Sequence, residues 1–229
     1  MDASLFTPSA ELVNEACERF DRENEVVEKA LADLFAQYPA NTNPSHVLLK
    51  VVALNTLYST RILAVLKVAR HIHELGEKLD AALEAGSAEA VDWIANINIE
   101  EKNLYYYSFA TKYCNWHKPD LYPLYELRVE KYLWFVKKQA VFNSDSLNGH
   151  EDLWSYSTFC KVMAAFREEF GLGSYNYKQI DKFLWAQAES MAAAGEGMQQ
   201  FLDDMPGAAP EAGHEQTESA TQQESTASA

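Results

Sequence analysis

A single carboxylate stands among basic and aromatic residues in the stretch from Tyr107 to Val129, Tyr-Ser-Phe-Ala-Thr-Lys-Tyr-Cys-Asn-Trp-His-Lys-Pro-Asp-Leu-Tyr-Pro-Leu-Tyr-Glu-Leu-Arg-Val. The stretch reads as a helix, a proline-flanked turn and the start of a second helix. Glu126 falls in the first turn of that second helix, where the dipole and free backbone N–H groups favour a carboxylate. A carboxylate held ionised there can stabilise developing positive charge or activate water. The same position equally suits an ordinary first-turn Glu that complements the dipole. Lys112, His117, Lys118 and Arg128 surround the turn, with Tyr113 and Trp116 among them. Cations interleaved with aromatics suit a surface that contacts phosphates and stacks bases, or a solvated face over core aromatics.

A second polar patch, Asn55-Thr-Leu-Tyr-Ser-Thr-Arg61, interrupts an apolar region. Buried polar side chains need partners, so the patch either caps a helix break or lines a pocket. Metal chemistry has little to stand on. Cys114 and His117 have a Cys-x2-His spacing without a second ligand pair, and His71 and His73 splay apart on a helix. No metal site or cofactor is expected. Gly is absent from 87 to 148, which excludes a Gly-rich phosphate loop in that stretch.

The elements that must position these residues read as helices. Thr7 with Pro8 predicts a capped start, and Leu12, Ala16, Phe20, Val27, Leu31 and Phe35 keep helical spacing. Asn43-Pro44 restarts the chain into a helix apolar on most faces, expected to be central. A break near 55–59 precedes a helix from Arg61 to Leu75 that stops at Gly76. Ser87 caps a short helix, and further helices are expected over about 100–116, 123–142, 151–170 and 176–193. The fold class expected is all-α, one compact domain of about eight helices over residues 1–200. Residues 201–229, acidic and without aromatics in their last stretch, are expected to form a disordered tail.

The chain has 229 residues and a net charge of −15. The charge is segmented: residues 1–40 and 203–229 are each −6, and residues 45–70 and 102–138 are each +4. An acidic total argues against nucleic acid only if it is evenly spread. Three scattered cysteines, Cys17, Cys114 and Cys160, give no disulfide framework and fit a reducing cytoplasm. Neither a leader sequence nor a membrane-spanning run is expected.

Two stretches resemble a known family. Leu49-Lys-Val-Val-Ala-Leu-Asn-Thr-Leu-Tyr-Ser-Thr-Arg-Ile62 resembles the LxxxLSxQTxxxxV helix start of the helix–hairpin–helix DNA glycosylases. His117-Lys-Pro-Asp-Leu-Tyr-Pro-Leu-Tyr-Glu-Leu-Arg-Val129 resembles the segment that carries their catalytic Asp. The pattern is closer still to small bacterial proteins with a YSFATKYC segment and a later DKFLW box, here Asp181 to Trp185. Within that neighbourhood it resembles anti-phage DNA glycosylases that remove glucosylated hydroxymethylcytosine. The resemblance implies a monofunctional DNA N-glycosylase acting as a monomer on DNA with a modified base, with Glu126 in the place of the catalytic Asp. Asn55, Tyr58, Tyr125 and Trp116 would form the base pocket, and Arg61, Lys102, Lys112, His117, Lys118 and Arg128 would hold DNA. The family's Gly-rich hairpin is missing, since the equivalent stretch, about Asn98 to Ser108, has no Gly. The lysine of bifunctional members would fall near Tyr106, which cannot form a Schiff base. The second reading is a helical DNA- or protein-binding module without chemistry.

Overall fold

In the computed structural model, residues 7–99 and 102–193 are described, the side chains of Ile99 and Lys102 excepted. The boundary expected at residue 200, and the tail beyond it, lie outside them. Among the described residues the fold is all-α apart from one small hairpin. It runs α1 (Ala10–Gln37), α2 (Pro44–Leu57), α3 (Val65–Ala85), α4 (Glu89–Ala95), β1 (Asn96–Ile99), β2 (Lys102–Tyr105), α5 (Tyr107–His117), α6 (Leu127–Lys138), a 3-10 turn at His150–Trp154, α7 (Tyr156–Glu169) and α8 (Tyr177–Ala193).

Local chemistry explains most boundaries. Ser9, not Thr7, caps α1, its Oγ accepting from the Leu12 N–H at 3.3 Å. Asn43 caps α2 through bonds from the Ser45 and His46 amides, with Pro44 at the first helical position where its missing N–H costs nothing. Gly76 does not end a helix. It sits inside α3 at φ 45°, ψ −125°, a conformation that favours glycine, and the helix kinks and continues to Ala85. The helix expected from residue 100 begins only at Tyr107. Residues 96–105 instead pair as an antiparallel hairpin, Asn96 opposite Tyr105 and Ile97 opposite Leu104.

The expected centre is also displaced. α2 leaves Leu49, Val52 and Leu57 about half exposed, whereas α5 buries Tyr107 and every residue from Phe109 to Trp116. α5 is therefore the core helix. α2 packs on α3, α4 on α5, and α8 lies against both α1 and α6. One contiguous hydrophobic core extends from Val13 on α1 to Met191 on α8, so both ends of the described chain share a single interior. Among the described residues no helix is long and apolar enough to cross a membrane.

Candidate active site

The extended segment between α5 and α6 is pinned from both sides. Asn115 donates through Nδ2 to the Tyr122 carbonyl (2.7 Å), and the Tyr125 amide donates to Thr111 Oγ1 (3.1 Å). From the other side the Tyr156 hydroxyl donates to the Pro123 carbonyl at 3.1 Å. These bonds fix the backbone on which Glu126 stands.

Glu126 is the N-cap of α6, with extended backbone at φ −144° and ψ 155°, rather than a first-turn residue. Its side chain makes no capping bond. It turns to α5, where Lys112 Nζ lies 2.8 Å from Oε1. Lys112 is 2% exposed and Glu126 27% exposed, so the cation is sealed in and the carboxylate meets solvent. Lys112 also donates to Ser108 Oγ at 2.5 Å, and its ammonium lies 5.6 Å from the centre of the Tyr58 ring. The partner of the Glu126 carboxylate is this ion pair, not the amides of a helix N-terminus.

Glu126 opens on a cleft of about 380 Å³ built by α1, the end of α2, the start of α6 and α8. Phe20, Tyr58 and Trp185 supply aromatic walls, with Phe20 and Trp185 edge to face at 6.0 Å. Glu28, Lys178 and Lys182 line it too; Glu28 bridges both lysines at 3.2 Å, and Lys182 also reaches Asp21 at 2.5 Å. Asp181 completes the lining. Desolvation, then the charges of Glu126 and Glu28, outweigh the opposing Lys112 and Lys178 and push its carboxyl pKa up to about 7. Two larger hollows, about 620 and 580 Å³, lie at the α6–α8 ends and beside the α7–α8 turn. Neither combines several carboxylates with facing aromatic walls, so the smaller cleft is the chemically equipped one.

The expected pocket residues divide. Tyr58 lines the cleft, and burial, with the charges of Glu28 and Asp181, pushes its hydroxyl pKa up, so it stays protonated. Trp116 stands behind it, its Nε1 donating to the Tyr58 hydroxyl at 3.1 Å and its ring carrying Lys178 Nζ at 3.4 Å. Asn55 does not line the pocket. Its Oδ1 accepts from the Ile62 amide and the Thr60 hydroxyl, both at 2.9 Å, and its Nδ2 donates to the Ile62 carbonyl at 3.0 Å. It thereby clamps the turn where Ser59 and Arg61 adopt φ of 51° and 58°, unfavourable for non-glycine residues. Tyr125 points into the core. Its hydroxyl donates to Glu130, and its ring packs on Tyr107 and Phe159 at 4.5 and 5.7 Å.

The expected DNA-holding residues divide as well. Arg128 is exposed at the cleft, 5.5 Å from the Trp185 ring centre, and Arg61 is exposed two residues beyond Ser59. Lys112 is too deeply buried to meet a phosphate. Lys118 pairs with Glu84 on another face. His117 accepts from Lys50 at 3.1 Å inside a buried cluster; burial and the charges of Lys50 and Lys118 hold its pKa well below the usual imidazole range. Lys50, fully buried, also donates to the Ala40 carbonyl (3.1 Å) and Asn41 Oδ1 (2.8 Å), and burial lowers its pKa to about 8 against the pull of Asp80. The side chain of Lys102 lies outside the described residues.

Sequence reasoning missed Phe20, Glu28, Lys178, Asp181, Lys182 and Trp185. The last four follow i, i+3, i+4, i+7 spacing on α8, so a mixed-charge stripe with an aromatic at its end was there to find. Among the described residues no group of three or more His, Cys, Asp or Glu side chains could hold a metal ion.

Residues 12–121 match the family model HI_0787_N, described as an N-terminal domain. That stretch supplies the α1, α2 and α5 residues of the site and ends before Glu126. No solved structure matches the chain. A protein of Haemophilus influenzae, strain Rd, described as uncharacterized, is similar at 38% identity over 132 residues, and this match spans 57% of the chain and 60% of the relative.

Proposed function

We propose that this protein is a monofunctional DNA N-glycosylase, which hydrolyses the bond between deoxyribose and a modified base and leaves an abasic site. A glucosylated hydroxymethylcytosine of phage DNA is the substrate named by the sequence resemblance. The observation that carries the reading is Glu126, ion-paired with the buried Lys112 while its free edge meets an aromatic-walled cleft. A base turned out of the stack would enter between Tyr58, Phe20 and Trp185, as enzymes that act on bases require. Glu126 would then face the sugar carbon as it gains oxocarbenium character, by the carboxylate logic of glycoside hydrolysis. Lys112, Lys178 and Lys182 are each ion-paired with a carboxylate, which supports hydrolysis by water over a Schiff-base route. Arg61 and Arg128 would hold flanking phosphates.

The same pairing favours a second reading, a DNA- or protein-binding module without chemistry, because it leaves few cations free around the cleft. One experiment separates them. The protein is incubated with unmodified DNA and with DNA carrying glucosylated hydroxymethylcytosine, and each sample is then treated with alkali. The glycosylase reading expects strand breaks in the modified DNA alone, lost with Glu126→Gln. Binding without breaks supports the module.

A further inference from the structure

Asp181 differs from every other carboxylate around the cleft. Glu126 is paired with Lys112, Glu28 with Lys178 and Lys182, and Asp21 with Lys182. Among the described residues no hydrogen bond or ion pair reaches the Asp181 carboxyl, although it lines the same cleft as Glu126. Helix α8 presents it between Lys178 and Trp185, so it is fixed by a rigid element rather than by a loop. A half-buried carboxyl left without a donor is costly as an anion and tolerable as a neutral acid. The cleft thus holds two carboxyl groups with opposite needs: one with a dedicated counter-ion, one without.

Resting on the glycosylase reading, we propose that Asp181 is the acid–base partner of Glu126, giving a proton to the departing base and taking one from water. The C1′–N bond breaks with both electrons passing to the base nitrogen, and the Asp181 proton neutralises the base. The oxygen of one water then bonds to C1′ on the side opposite the Lys112-paired Glu126, and the water's proton returns to Asp181. Base and abasic site leave, one water is consumed, and both carboxyls regain their starting states. Pairs of carboxyl groups whose surroundings drive their protonation apart carry this division of labour in glycoside hydrolysis.

The titratable and charged groups around Asp181 come from every neighbouring element: Glu28 from α1, Tyr58 from the end of α2, Lys112 from α5, Glu126 and Arg128 from the start of α6, and Lys178 and Lys182 from α8. Glu126 and Glu28 raise its pKa, and Lys112 and Lys178 lower it. Desolvation is the largest influence, and the balance leaves the acid protonated up to about pH 7.

The test has two arms on the full-length protein. In the first, carboxyl carbons are followed by NMR against pH, with Asp181→Asn used to assign the resonance. A midpoint near neutrality that falls in Glu126→Gln is expected; a midpoint in the ordinary aspartate range overturns the assignment, whether or not a base is released. In the second, single-turnover base release from glucosylated hydroxymethylcytosine DNA is measured from pH 5 to 9. The wild-type rate should fall as pH rises through the NMR midpoint. Asp181→Asn should lose roughly 10²- to 10⁴-fold and lose that fall, while Asp181→Glu keeps a pH dependence at a lower rate. Release by Asp181→Asn at the wild-type rate with the wild-type profile overturns the proposal. A near-neutral midpoint with no release by the wild type overturns the glycosylase reading, and the acid–base role with it.

Discussion

Glu126 and Glu130 stand one helical turn apart at the start of α6, and they have opposite surroundings. Glu130 is fully buried and saturated: Tyr125 and Trp154 donate to Oε2, and His150 Nδ1 lies 3.0 Å from Oε1. Glu126 has one dedicated partner, Lys112, and an edge open to a cleft. A carboxylate ringed by donors from the 3-10 turn and from the segment before α6 is a fastener. A carboxylate with one sealed counter-ion and an open face is equipped for a ligand. The contrast teaches that burial alone does not mark a site; the unspent hydrogen-bonding capacity of a charged group does. Glu130 also explains why Tyr125 faces inward: its hydroxyl is tied to the fastener, and that tie turns the next residue, Glu126, toward the cleft.

The sharpest way to break the contrast is to exchange the consequences. Replacing Glu130 by Leu strands the Tyr125 and Trp154 donors and should cost about 3–5 kcal/mol in urea unfolding. An unchanged midpoint would remove Glu130 from the framework. Replacing Glu126 by Gln should instead cost about 10²- to 10³-fold in base release, or about 3–4 kcal/mol of transition-state stabilisation, with a smaller loss of stability than Glu130→Leu. Because Glu126→Gln removes the ion-pair partner of the buried Lys112, the double change Glu126→Gln with Lys112→Met should recover about 1–2 kcal/mol of stability. It should recover no activity, measured on the same preparations.

Lys50 offers a finer comparison, since it and Lys112 are both buried lysines, one with neutral acceptors and one with a carboxylate. The pKa of Lys50 is lowered to about 8 when folded, so between that value and the ordinary lysine range the unfolded chain binds the extra proton. Stability attributable to Lys50 should therefore rise with pH across that window, by at most about 1.4 kcal/mol per pH unit. Urea midpoints of wild type and Lys50→Met from pH 7.5 to 10 should show the difference, and parallel curves would refute it. The smallest effects belong to the rim. Arg61→Ala and Arg128→Ala should each weaken binding to unmodified DNA about two- to fivefold and reduce its salt dependence by about one phosphate contact.

Most helices were legible because their apolar residues recur at helical spacing and their ends carry Ser, Asn or Gly. The hairpin was not, although Asn96-Ile-Asn-Ile99 alternates, because four residues are too few to stand out against flanking helices. The central helix was misplaced for a physical reason. α2 is apolar all round yet half exposed, whereas α5 looks polar because its Thr111, Lys112, Tyr113 and Asn115 are buried through hydrogen bonds and ion pairing. Glu126 was legible by type and position, but its counter-ion was not, since Lys112 reads as a surface phosphate contact until α5 is known to be the core. The α8 half of the site was hidden by distance along the chain.

That distance has a consequence for how the protein comes into being. α1 and α8 meet through Arg19 with Glu189 and through Lys178 and Lys182 with Glu28, contacts that join the two ends of the described chain. Contacts of such separation close late, after the loop between them has been ordered. During synthesis the N-terminal helices can pack on α5 while Glu126 still lacks the wall that α8 supplies. The cleft is assembled only when α8 has emerged and docked, so an incomplete chain would carry the carboxylate without the chamber.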